Sequence, residues 1–147
     1  SRLLHLSQEV RYAVTGLKYL VSHQEDESFC LVEDIAAAMG LSRTSLAKVF
    51  QKIAHSGVLE SRRGPMGGYR LGRNAKRISL GDIVETIQNS FGQDSQCMVE
   101  AKACDRSSAC LLHETVDSCE KLLWKKLKEM RIGDLAQETQ IFWRLTT

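Results

Sequence analysis

The sequence predicts a mostly helical, winged helix-turn-helix protein with a small β-hairpin wing and a long C-terminal dimerisation helix. Two amphipathic segments around a glycine turn lie at residues 33–55, and two short strand-like segments follow them. Residues 112–130 then carry an apolar stripe with an average step of about 3.6 residues, the period of an α-helix. The chain of 147 residues is long enough for one compact domain with a modest core.

The first helix is expected over residues 7–22. Ser7 is a suitable N-cap, and apolar residues recur at helical spacing behind it. The polar residues 23–28 predict a loop. Residues 29–32 either pair as a short strand or enter the next helix.

A helix-turn-helix is expected next. A short helix over residues 33–39 ends at Gly40, because glycine readily adopts the left-handed conformation. Ser42 is a natural N-cap for a second helix over residues 43–55. The cap and the outward face of that helix carry donors that suit phosphates and base edges. The predicted DNA contacts here are Ser42, Arg43, Thr44, Ser45 and Lys48, with Lys52 on the same face.

Two short strands are expected at residues 58–62 and 69–71, with a turn between them. Gly67 and Gly68 permit positive φ at a tight reversal, and Pro65 stiffens the tip. A hairpin directly after a helix-turn-helix is a wing, which can reach a neighbouring minor groove. An ordinary surface hairpin is the alternative. The predicted wing contacts are Arg62, Arg63, Pro65 and Tyr69.

The charge distribution supports a nucleic-acid surface. Residues 42–77 contain nine basic residues and one acidic residue, a net charge of +8. The whole chain is only +2, so the remainder is −6. Such segregation is typical of a surface that binds nucleic acid, although a solvated basic face is the plainer interpretation.

The C-terminal half predicts a second unit. Ser79 is expected to cap a helix that ends near Ser90, and residues 91–109 show no apolar period. The apolar stripe of the long helix needs a partner, which a second copy would supply by two-fold symmetry. We therefore divide the chain into a winged-helix DNA-binding domain (1–90), a cluster-binding loop (91–113) and a dimerisation helix with a C-terminal segment (112–147).

A ligand pattern C-x6-C-x5-C-x2-H is formed by Cys97, Cys104, Cys110 and His113. Thiolates bind iron–sulfur clusters and zinc, and imidazole can replace one thiolate. Cys110 and His113 are three residues apart at a helix start, so both can face one point. The helix N-terminus also favours the thiolate of Cys110. Reactive or buried free thiols and a surface histidine are the alternatives.

The remaining residues exclude several classes of protein. Cys30 is expected in the core, and Cys119 in the core or at a dimer seam. Five cysteines, three of them crowded together, favour a reducing cytoplasm over a secreted disulfide framework. We expect neither a membrane span nor a secretory signal. Because no nucleotide loop, zinc-protease motif or nucleophile elbow is present, we expect neither an enzyme nor a small-molecule substrate.

Three segments together resemble the Rrf2 family of winged-helix transcription regulators. They are L-S-x-x-V-R-Y-A-V at residues 6–14, R-G-P-M-G-G-Y-x-L at residues 63–71, and the three-cysteine loop. The resemblance extends over nearly the whole chain. It implies a homodimer that binds palindromic promoter DNA and holds one iron–sulfur cluster per subunit. In the branch that the chain most resembles, three cysteines and a histidine hold a 2Fe–2S cluster, which implies the ligands Cys97, Cys104, Cys110 and His113.

The chain departs from that branch in three places. The first cysteine gap is one residue longer. Ala47 stands where the branch carries an acidic residue that helps to select DNA sequences, and Lys48 follows in place of a glutamine. Other family members use an acidic ligand near the N-terminus, but Arg11 occupies that place here and Glu9 lies on a different helix face.

The sequence therefore predicts a cytoplasmic transcription regulator whose binding to promoter DNA responds to an iron–sulfur cluster, with 2Fe–2S favoured over 4Fe–4S. A DNA-binding regulator that uses zinc or bare thiols as a redox switch is the first alternative. A small iron–sulfur electron carrier is the second, and it leaves the basic helix and wing without a role.

Overall fold

The computed structural model describes residues 6–88 and 111–135, which form five α-helices and one β-hairpin. Two short 3₁₀ turns at residues 24–26 and 75–77 join them. The predicted class, mostly helical with a helix-turn-helix, a hairpin and a long C-terminal helix, is confirmed. In chain order the elements are α1 (Gln8–Ser22), α2 (Val32–Met39), α3 (Arg43–His55), β1 (Leu59–Arg62), β2 (Gly68–Leu71), α4 (Leu80–Gln88) and α5 (Leu111–Glu129).

Helix α1 lies at the centre of the molecule and packs against α2, α3 and α4. Its hydroxyl cap forms as predicted, since Ser7 Oγ accepts a hydrogen bond from the Val10 amide at 3.3 Å. One face of the helix is almost completely buried, which places a single apolar stripe against all three neighbours. That face consists of Val10, Ala13, Gly16, Leu17 and Leu20.

The turn between α2 and α3 has the predicted glycine stop and serine start. Gly40 adopts a left-handed φ of 67°, and the next amide, of Leu41, donates to the carbonyl of Ala36 at 2.9 Å. Ser42 Oγ then accepts from the Ser45 amide at 3.4 Å. The buried face of α3 that packs on α1 consists of Leu46, Val49, Phe50 and Ile53.

The hairpin is antiparallel, with Leu59 opposite Leu71 and Arg62 opposite Gly68. Both alternatives for residues 29–32 occur. Cys30 forms an isolated antiparallel bridge with Tyr69, with both N–H···O distances at 2.8 Å, and α2 begins two residues later. The bridge fastens strand β2 to the segment that precedes the helix-turn-helix.

The start of α4 and the end of α5 are bonded to each other. Ser79 and Asp82 form a reciprocal capping box, with each side chain accepting the other's amide at 3.0 Å. Lys128 of α5 donates to Asp82 at 3.1 Å and to Glu85 at 3.0 Å. Burial alone would raise the pKa of Asp82, but the hydrogen bonds from Ser79 and Lys128 outweigh it and lower that pKa. The contact fixes one end of α5 on the winged-helix core.

Most of α5 lies outside that core. Only Leu127 of this helix is buried, whereas the side chains of Leu111 and Leu122 are largely exposed, at 83% and 60%. Among the described residues, the helix therefore leaves apolar surface exposed. Dimerisation through this helix stays a prediction. Within residues 6–88 and 111–135, no helix combines the length and apolar character that crossing a bilayer requires.

We predict that Gly16→Ala destabilises the fold. A methyl group there would lie 2.6 Å from Phe50 Cζ and 2.9 Å from Leu46 Cδ1, so α1 and α3 would have to separate. Alanine favours helix over glycine by about 1 kcal/mol, but overpacking a core costs about 1–3 kcal/mol. We expect a net loss of up to about 2 kcal/mol in the free energy of unfolding, measured by urea unfolding.

Gly133→Ala is the matched control. A Cβ at this position meets its nearest neighbour, the Ala75 methyl, at an ordinary 3.5 Å. We expect the control to leave stability unchanged or slightly increased. Equal stability changes in the two variants would contradict close helix packing at Gly16.

Candidate DNA-binding surface and cluster-binding loop

The first two turns of α3 present an exposed polar face. Ser42, Arg43, Thr44 and Lys48 are exposed, and Ser45 is half-buried. The opposite face of the helix is anchored in the core. The amino-terminal residues of a recognition helix are those that reach base edges in the major groove. These residues are therefore accessible to DNA, and their contact with it stays a prediction.

Two ion pairs that the sequence did not reveal join α3 to its neighbours. Arg43 Nε donates to Glu33 Oε1 of α2 at 2.7 Å, and Lys52 Nζ donates to Glu9 Oε2 of α1 at 2.8 Å. A hydrogen bond from its own backbone amide, together with Arg43, lowers the pKa of the Glu33 carboxyl. Glu33 therefore stays negatively charged at neutral pH. Pairs 10 and 43 residues apart leave no local pattern in a sequence.

The wing has an exposed tip whose shape depends on glycine. Arg62, Arg63 and Pro65 are exposed, and the Gly67 amide donates to the Gly64 carbonyl at 2.9 Å. A Cβ on Gly67 would lie 2.2 Å from the backbone oxygen of Arg62. Only glycine allows so tight a reversal, so the sequence rigidly places the flanking arginines at the tip.

Both strands of the wing contact Phe29, a residue to which sequence reasoning gave no role in the site. Arg70 Cζ lies 4.5 Å and Arg62 Cζ 5.7 Å from the centroid of the Phe29 ring. Arg70 also donates to the Glu27 carbonyl at 2.9 Å and to Glu60 Oε2 at 3.0 Å. The cation–π contacts and hydrogen bonds fix the hairpin against the loop before α2.

Tyr69 connects the wing with the core. Its ring packs edge-on against Phe50 with centroids 5.3 Å apart, and burial raises the pKa of its hydroxyl. Both backbone groups of Tyr69 bond to Cys30. The side chain therefore orients the hairpin relative to α3. Contact of Tyr69 with DNA stays a prediction.

The cysteine loop joins two helices that pack on the DNA-binding unit. Cys97, Cys104 and Cys110 lie outside the described residues, which resume at Leu111. Before the loop, Gln88 Oε1 accepts a hydrogen bond from the Ser7 amide at 3.2 Å, so the end of α4 lies beside the start of α1. Beyond the loop, His113 is half-buried in the first turn of α5.

The described residues alone do not make a metal site. In residues 6–88 and 111–135, no three His, Cys, Asp or Glu side chains come together in an arrangement that could hold an ion. The predicted donors are three thiolates and the His113 imidazole, a set that chemically suits either an iron–sulfur cluster or zinc. His113 is the one member of this set whose surroundings are described.

The other two cysteines differ in their surroundings. Cys30 is half-buried and packs against the core, as expected, and burial with the nearby charges of Asp34 and Asp26 raises the pKa of its thiol. Cys30 is therefore protonated and poorly reactive. Cys119 is exposed in the single chain, so the core alternative fails for it and the dimer seam stays a prediction.

Solved structures with the same fold are regulators. The structure of T. potens IscR aligns over 92% of this chain and 88% of its own, with 21% identity and a TM-score of 0.72. The structure of CymR, the global cysteine regulator of B. subtilis, aligns over 91% of this chain and 97% of its own, with 24% identity and a TM-score of 0.69. Both likenesses confirm the winged-helix fold.

Relatives found by sequence have a higher identity to this chain than these two structures do. The HTH-type transcriptional regulator IscR of Pectobacterium atrosepticum is 30% identical over 131 residues, which are 89% of this chain and 73% of that protein. IscR of Vibrio atlanticus is 28% identical over 138 residues, 94% of this chain and 78% of the relative. The model of the Rrf2 family, described as iron-dependent transcriptional regulators, matches residues 6–138. This protein belongs to the Rrf2 family of transcriptional regulators.

Proposed function

We propose that this protein binds promoter DNA with an affinity set by an iron–sulfur cluster that Cys97, Cys104, Cys110 and His113 hold. One observation carries the proposal: three of the four donors lie in the chain between α4 and α5, the fourth lies on α5, and these two helices pack on the winged-helix core. Family membership and the relatives named IscR support the same conclusion.

The DNA-binding half of the proposal rests on shape and charge. The exposed face of α3 carries Arg43, Thr44 and Lys48, and the wing tip carries Arg62 and Arg63. A helix of this kind reads the major groove, while arginines on a hairpin reach the flanking minor groove. Positive charge concentrated on residues 42–77 supplies the attraction to phosphate.

The cluster half rests on the donor set. Three thiolates with one imidazole suit a 2Fe–2S cluster better than a 4Fe–4S cluster in this branch of the family, and zinc is the chemical competitor. When bound, the cluster would supply a redox-active and oxygen-sensitive centre. Cys97, Cys104, Cys110 and His113 would hold it, and His113 lies in the first turn of α5.

Coupling between the two halves follows from packing. The loop begins after Gln88, which bonds the start of α1, and α1 packs on the recognition helix α3. Loop order can thereby bias the position of α3, which makes the cluster and the DNA two thermodynamically linked ligands. We further propose that α5 pairs two copies into a homodimer in the cytoplasm, so that two copies of α3 meet a palindromic site.

We predict that each of Cys97→Ala, Cys104→Ala and Cys110→Ala loses the cluster, because a three-thiolate site cannot be completed by two. Anaerobic reconstitution followed by assays of iron and acid-labile sulfide measures the loss. His113→Cys should keep the cluster and lower its reduction potential, since thiolate replaces imidazole.

Cys30→Ala and Cys119→Ala are the matched controls and should retain full iron and sulfide. Full cluster content in any of the three loop variants would remove that cysteine from the ligand set. Stoichiometric zinc without sulfide in the wild type would favour the zinc-dependent switch instead.

We predict that Arg63→Ala weakens binding to a strong operator. If Arg63 meets a phosphate, the salt slope of binding should fall by about 1 with all sequences affected alike. If it enters a minor groove, the free energy of binding should become weaker by about 1–3 kcal/mol, and only at sites whose flanking sequence Arg63 prefers. Fluorescence anisotropy across a salt series distinguishes the two cases.

Lys125→Ala on α5 removes the same charge from an exposed site far along the chain and serves as the control. Unaltered operator affinity in Arg63→Ala would exclude a role for the wing tip. Absence of DNA binding by the wild type in every cluster state would instead favour an electron carrier.

A further inference from the structure

We propose that Glu33 of α2 is a positioning residue that orients Arg43 to read a guanine in the major groove. The proposal rests on the proposed DNA-binding function and adds a specificity determinant to it. Glu33 itself does not contact a base. It acts through the arginine that begins the recognition helix.

The geometry of the ion pair leaves the base-reading edge of Arg43 open. A guanidinium has two donor edges, one formed by Nε and Nη2 and the other by Nη1 and Nη2. Glu33 Oε1 occupies the first edge, since it accepts from Nε at 2.7 Å and also contacts Nη2. Among the described residues, none accepts a hydrogen bond from Nη1 of Arg43. Two parallel N–H groups therefore remain available, the arrangement that pairs with O6 and N7 of guanine.

Stability does not account for this pair. The side chains of Arg43 and Glu33 are 67% and 50% exposed, and ion pairs so open to water contribute little to folding. The ion pair instead restricts the conformations of the Arg43 side chain. A long side chain at the start of an exposed helix otherwise samples many rotamers, and only some of them present the open edge of the guanidinium to a base.

The charge of Glu33 also disfavours such non-specific contacts. The pair is electrically neutral as a unit, so Arg43 adds little to the general attraction of phosphates while Glu33 is ionised. The lowered pKa of Glu33 keeps it ionised at neutral pH. A guanine edge presents two acceptors to the free N–H groups, whereas a phosphate that approaches Arg43 also approaches the carboxylate and is repelled.

Arg70 on the wing differs from Arg43 in how its guanidinium is bonded. Its Nε also donates to a carboxylate, Glu60 Oε2 at 3.0 Å. Its Nη1, however, donates to the Glu27 carbonyl, and its guanidinium stacks over Phe29. Arg70 is thereby committed to holding the wing. Of these two paired arginines, only Arg43 keeps an open bidentate edge on the recognition helix.

Selection of binding sites from a random pool of duplex DNA tests the proposal, with the cluster-loaded wild type, Glu33→Gln and Arg43→Ala compared. We expect the wild type to select one guanine per half-site. In Arg43→Ala, the preference for that guanine over adenine should fall by about 5- to 100-fold. Glu33→Gln should lower the same preference by roughly ten-fold, strengthen binding to unrelated DNA and steepen the salt slope by about 1. In the Arg43→Ala background, Glu33→Gln should change the base preference no further.

Asp34→Asn is the matched control, because it removes the same charge one residue away on α2 and Asp34 forms no ion pair with a described residue. It should keep the guanine preference. Arg43→Lys preserves the charge but lacks the bidentate edge, so it should also lose the preference, with thermal unfolding unchanged.

A Glu33→Gln protein that binds every sequence more tightly and keeps its guanine preference would overturn the proposal, since Glu33 would then only compete with DNA. An unchanged preference together with unchanged affinity would overturn it as well. Either result leaves the proposed function intact, whereas a wild type that selects no consensus contradicts both.

Discussion

The close approach of α1 to α3 at Gly16 is the contact on which the rest of the structure depends. With no side chain at this position, Phe50 and Leu46 of α3 pack directly onto the helix backbone. The same helix α1 contacts α2, α4 and β2, so nearly every element of the winged helix is positioned relative to it. Because tightly packed interiors transmit displacement, a shift of α1 must move the recognition helix with it.

This arrangement supports the proposed coupling between the cysteine segment and the DNA surface. Gln88, the last described residue before the loop, bonds the cap residue Ser7 at the start of α1. Two residues later Glu9 pairs with Lys52 near the end of α3. At the far end of α5, Lys128 is held by Asp82 and Glu85. In the proposed coupling, the effect of the cluster is therefore expected to pass through Gln88 and the start of α1.

Sequence patterns predicted the elements well, because their signals are local. The serine caps at positions 7, 42 and 79, the left-handed Gly40 and the glycine turn of the wing each follow from residues a few positions apart. The bounds of α1, α2 and α3 agreed with expectation to within one residue, whereas the predicted end of α4 near Ser90 lies outside the described residues. The family resemblance, drawn from the same motifs, is confirmed.

The finer features of the site were not predictable from the sequence alone. The pairs Arg43–Glu33 and Lys52–Glu9, and the stacking of Arg62 and Arg70 on Phe29, join residues far apart in the chain or in loops without a periodic pattern. The apolar stripe of α5 is a different case, because only Leu127 of it is buried among the described residues, in line with the expectation that this face needs a partner. Such contacts depend on how the helices pack, which local propensity does not specify.

Ala47 bears on how the cluster controls binding. It lies half-buried on α3 and has no charge with which to exclude particular bases, so the cluster should change affinity through loop order or dimer spacing and leave the preferred bases alone. The most direct measurement is the affinity of one selected operator for cluster-loaded and cluster-free protein at the same salt concentration under anaerobic conditions. We expect a shared consensus and affinities that differ by about 5- to 150-fold, the usual range of allosteric coupling. Equal affinities, or two unrelated consensus sequences, would contradict control of this kind.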